Sequence, residues 1–84
     1  MNRYTVTWQP EAETELVELW LEARDRNQLA AAVRAIDTDL AMDAEAKGDL
    51  VAEGIRACNV PPLRVLFTVR PADRVVEIEL VRRL

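Results

Sequence analysis

Histidine is absent, and cysteine, tyrosine and phenylalanine occur once each among 84 residues. Histidine is the one side chain whose ordinary pKa lies between 5 and 8, so acid–base catalysis at neutral pH lacks its usual carrier. One cysteine, Cys58, excludes an intramolecular disulfide, and with no His to activate it the residue reads as a small packed hydrophobe on a strand. Two glycines, Gly48 and Gly54, exclude a glycine-rich phosphate cradle. No apolar run approaches the roughly 18 residues of a membrane span. No charged-then-apolar signal segment opens the sequence, so a cytoplasmic protein with no membrane contact is expected. Neither a metal site nor a cofactor is expected, since acids without His or a second Cys form a poor ligand set and a chain this short has no deep cleft.

What remains is half apolar, with no repeat, linker or low-complexity tract, as in one globular domain over residues 1–84. Residues 3–9 alternate, with Tyr4, Val6 and Trp8 on one face, which predicts a half-buried strand. Pro10 suits the first turn of a helix, and Glu11 and Glu13 suit its positive end. Ala12, Leu16, Leu19, Trp20 and Ala23 then follow at spacings of three and four, a buried stripe ending near residue 23 or 24. A second helix is predicted over 28–43, with Asn27 as N-cap and Leu29, Val33, Ile36 and Leu40 inward. Lys47, Gly48 and Asp49 form a turn, 50–54 an approach segment, and 55–60 a strand broken by Pro61 and Pro62.

Leu63, Val65, Phe67 and Val69 share one face of the next strand, and Val76, Ile78 and Leu80 are expected inward on the last. Opposed residues share a face, so their numbers must sum to an odd value, which requires an even loop between these strands. Pro71 to Arg74 supplies four residues. The expected fold class is α+β, in the order β-α-α-β-β-β. Two antiparallel helices pack on one face of a small, mainly antiparallel, four-stranded sheet. The expected core is Val6, Trp8, Leu16, Trp20, Val33, Ile36, Leu40, Val65, Phe67, Val76 and Ile78.

Charge divides unevenly between the halves. Residues 55–84 carry six arginines against three acids, a balance of +3. Residues 1–54 carry five bases against twelve acids, a balance of −7, and together these give the net −4. An anionic ligand would therefore meet the sheet. Glu11, Glu15, Glu18 and Glu22 recur at four, three and four along the first helix. That row reads as a solvated face, or as a docking face for a basic partner segment.

The element order, the run Trp8-Gln9-Pro10-Glu11-Ala12 after strand one, and Pro61-Pro62-Leu63-Arg64-Val65-Leu66-Phe67 together resemble the RelE/ParE superfamily of bacterial toxins. The resemblance implies a small toxin-family component of a type II toxin–antitoxin module of the plasmid-stabilisation kind. It implies a cognate antitoxin as partner, with a topoisomerase or ribosome-bound mRNA as target and a homodimer left open. It carries over Arg56, Arg64 and Arg82 or Arg83 as anion- or target-binding residues, because a guanidinium grips phosphate oxygens and stays charged. Nuclease members act without a metal and move protons with His, Lys or a Tyr near the C-terminal end. Here Lys47 is the one lysine, Tyr4 the one tyrosine, and residues 70–84 hold neither His nor Tyr. A ParE-like binding mode asks for no such groups, and no catalytic residue is assigned. The rival reading is a small interaction or dimerisation module without toxicity, since fold does not dictate function.

Overall fold

A computed structural model describes residues 3–84. Its elements run β1 (Thr5–Trp8), α1 (Pro10–Glu22), α2 (Arg26–Asp43), a 3-10 turn (Ala44–Ala46), β2 (Asp49–Ala52), β3 (Ile55–Val60), β4 (Leu63–Arg70) and β5 (Val75–Arg83). The sheet has five strands in the order β1-β5-β4-β3-β2, antiparallel except where β1 runs parallel to β5. The two helices cover one face. Ala12, Leu29, Ile36 and Leu40 meet Leu63, Val65, Phe67, Val76, Ile78 and Val81 there in one fully buried cluster.

The α+β class and the helix–sheet layering agree with the sequence, and five details differ. The approach segment is a strand, β2, joined to β3 by the turn at Glu53 and Gly54, where Gly54 has φ +75°. Its residues are all exposed, so no burial alternation was there to be read. Helix α2 begins at Arg26, after Asp25 and not Asn27, because Gln28 N–H and Leu29 N–H both donate to the Asp25 carbonyl.

Trp20, assigned to the core by spacing, is 40% exposed. Leu16, Leu19 and Ala23 complete the inward side of α1, and the indole falls outside that stripe. Trp8 is half-buried, with its indole N–H donating to Asp37 Oδ1 at 2.8 Å.

The even loop is present: Arg70 faces Val75 across Pro71–Arg74, with Arg74 at φ 54°. Pairing holds from Arg70/Val75 to Phe67/Ile78, and then Leu66 pairs with Leu80, so β5 carries one extra residue at Glu79. A bulge of this kind flips every later side chain. Val81, and not Leu80, therefore enters the core, and Arg83 turns to the helix side opposite Leu63.

Candidate functional site

The uncovered face of the sheet is built in cross-strand rows. Asn59, Arg64 and Arg82 form one row and Ala57, Leu66 and Leu80 the next, as the β3–β4 and β4–β5 registers require. Arg64 donates to Asn59 Oδ1 at 2.8 Å, and Glu77 lies on the same face, where Arg70 Nε meets it at 2.7 Å. Two guanidinium residues opposed across neighbouring strands repel each other, an arrangement that favours an anion between them.

Arg82 is partly drawn away. Strand β1 pairs only as far as Ile78, so β5 beyond that point lacks a neighbour on one side. Glu15 of α1 fills the gap: its Oε1 accepts the Val81 N–H at 3.3 Å and its Oε2 pairs with Arg82. An acidic side chain thus satisfies the bare edge of a strand. Glu15 is half-buried, whereas Glu11, Glu18 and Glu22 remain exposed, so the acidic row is not one continuous docking face.

The other two candidate arginines lie on the helix side. Arg56 is opposite Phe67 and donates to the Glu45 carbonyl at 2.8 Å, at the end of the helical half, where a cation meets unsatisfied carbonyls. Arg83 pairs with Asp25. The four arginines named from sequence are therefore not gathered at one point: Arg64 and Arg82 share the open face, and Arg56 and Arg83 act as internal ties.

Sequence reasoning missed a cleft of about 530 Å³ beside Arg64, between α2, the Lys47–Asp49 turn and the end of β3. Asp39, Lys47, Asp49, Cys58, Asn59 and Arg64 contribute to its lining. The turn can approach β3 because residue 48 is glycine: φ is +70°, and a Cβ there would stand 2.3 Å from the Ala57 carbonyl oxygen. That glycine between Lys and Asp was the one available sequence signal.

Burial pushes the Cys58 thiol up, and Asp39 adds to the shift, while Arg64 and Lys47 partly oppose it. Because the thiolate is the reactive form, Cys58 is expected to react slowly with a thiol reagent at neutral pH. Its rate should climb only above the ordinary thiol range of about 8.5. A pH profile of labelling against a free small thiol checks this, and a profile at or below that of the free thiol would contradict it. Tyr4 donates its phenol O–H to the Glu45 carboxylate, which raises the Tyr4 pKa and keeps the proton on the phenol oxygen. Among the described residues no cluster of His, Cys, Asp or Glu could hold a metal ion, and no helix is long and apolar enough to cross a membrane.

No family model and no curated protein matches the chain. Solved structures do. A chain of the RelBE2 toxin–antitoxin complex from Mycobacterium tuberculosis superposes with a TM-score of 0.81 at 25% identity, over 98% of this chain and 99% of that one. A chain of the chromosomal ParDE system from P. aeruginosa gives 0.65 at 15% identity, over 100% and 99%. The YoeB dimer from Staphylococcus aureus gives 0.68 at 16% identity, over 98% of each chain. The architecture is that of a toxin from a type II toxin–antitoxin system. More narrowly, it is a RelE/ParE-type toxin fold.

Proposed function

We propose that this chain is the toxin component of a type II toxin–antitoxin module, held by a cognate antitoxin and acting by binding its target in the ParE-like manner. The observation that carries the reading is the likeness to the RelBE2 chain over nearly the whole length of both. The binding mode is supported by what accompanies Arg64. Asn59 and Arg82 can grip an anion beside it, but neither can move a proton, since an amide does not titrate and a guanidinium does not deprotonate. Asp39, Lys47 and Asp49 line the adjoining cleft as exposed side chains, and the sequence has no histidine to accompany them. The one phenol is bonded to Glu45. A ribosome-bound mRNA, or the DNA held by a topoisomerase, would present the phosphates that the Arg64–Arg82 row suits.

The test is incubation of labelled mRNA with purified protein, alone and with translating ribosomes. No cleavage above background is expected in either. Codon-phased cuts that disappear in Arg64→Ala would overturn the binding mode and establish a nuclease.

A further inference from the structure

The inward side of α1 is fully used, yet its outward side is not wholly polar. Val17 is 56% exposed, Leu21 67% and Trp20 40%, three large apolar side chains adjoining on one helix. Pro10, Thr14, Val17 and Leu21 recur at four, three and four, and Glu13, Val17 and Trp20 at four and three, the spacing of a helix–helix seam. A lone exposed apolar residue means nothing, but an apolar stripe on a helix face marks a contact surface.

The charge on this stripe is divided end to end. Glu13 is exposed in the first turn. At the other end the guanidinium of Arg26 lies over the Trp20 ring, 5.7 Å from its centre. It donates to the Trp20 carbonyl at 2.9 Å and the Leu21 carbonyl at 3.4 Å. These bonds hold it at the C-terminal end of α1, although residue 26 belongs to α2. The order along the stripe is thus acid, Val17, Trp20 with Leu21, then base.

We propose that this face pairs with the same face of a second copy, the two α1 helices crossing antiparallel about a twofold axis near residues 17–20. A surface that is acidic at one end, apolar in the middle and basic at the other is self-complementary only in that orientation. Val17 then packs on the partner's Trp20, and Glu13 meets the partner's Arg26 twice, once at each end, as an isologous contact demands. A parallel pairing would set like charges together at both ends. One helix face is a small interface, so the dimer is weak and dissociates on dilution. Arg64, on the face of β4 opposite the core residues Val65 and Phe67, stays free in both states.

The experiment is sedimentation velocity over a dilution series, with circular dichroism to confirm folding. Wild type is expected to pass from dimer to monomer on dilution, and Val17→Asp/Leu21→Ser to stay monomeric throughout. Glu13→Arg and Arg26→Glu should each weaken self-association roughly tenfold, through the loss of two symmetric ion pairs. Mixed together, these two single variants should form a heterodimer of near wild-type strength, because one then carries two bases and the other two acids on the stripe. A protein that stays monomeric at every concentration would overturn the proposal, as would a dimer indifferent to the Val17 and Leu21 changes. Single charge variants whose mixture binds no better than either alone would also overturn it. So would a monomer that loses antitoxin affinity on the Val17 change, which would give the face to that partner instead.

Discussion

Expression of the chain without its partner is expected to arrest bacterial growth, and Arg64→Ala/Arg82→Ala to remove the arrest. Those two arginines stand opposite each other on the face that no helix covers, beside Asn59. An anionic target surface would lose both guanidinium contacts in the double variant. The change is not expected to act through stability. Among the described residues the Arg64 side chain bonds only to the exposed Asn59, and the Arg82–Glu15 pair lies on a substantially exposed arginine, so together they contribute no more than about 1 kcal/mol. Arg56→Ala and Arg83→Ala make the informative contrast, since both arginines serve the helix side. The exposed acids give a second contrast: Glu11→Gln/Glu18→Gln/Glu22→Gln should leave the arrest in place, with Glu15 spared because it closes the β5 edge. Normal growth with confirmed expression of wild type would defeat the toxin reading and favour the interaction module.

Phe67→Ala is expected to cost about 3–5 kcal/mol, a large part of the roughly 5–15 kcal/mol that holds a small domain together. Phe67 is fully buried on β4 within the cluster beneath both helices. Its loss leaves a cavity that a sheet tied on both sides cannot collapse to fill. Trp20→Ala removes a larger ring yet should cost under about 1 kcal/mol in the monomer, because the indole is substantially exposed and gives up little beyond its contact with Arg26. Urea unfolding at low protein concentration distinguishes the two. If Trp20→Ala proved as costly as Phe67→Ala, the position given to the indole here would be wrong.

That contrast marks where the sequence was sufficient. Strand and helix identities were legible because β4 and the first half of β5 alternate with period two, and α2 repeats its apolar residues at three and four. Both patterns follow from local geometry. The even length of the loop after Arg70 followed from parity, and Pro71 marked its four residues. The carriers of charge were legible too, and Arg64 did fall on the open face.

What tertiary structure decided was which way the remaining groups point. A single extra residue at Glu79 reverses the end of β5, and nothing in the alternation of 75–84 announces it, since Leu80 and Val81 are both apolar. That reversal brings Val81 into the core and sends Arg83 to Asp25. The shortness of β1 leaves the Val81 N–H bare, which takes Glu15 out of the acidic row and ties it to the end of β5 and to Arg82. Gly48 lets one turn approach β3 and so places Lys47 in the cleft beside Arg64, seventeen positions away in the chain. Periodicity records which side of an element is apolar. Pairing between distant strands, which no local pattern contains, determines where that element's polar groups find their partners.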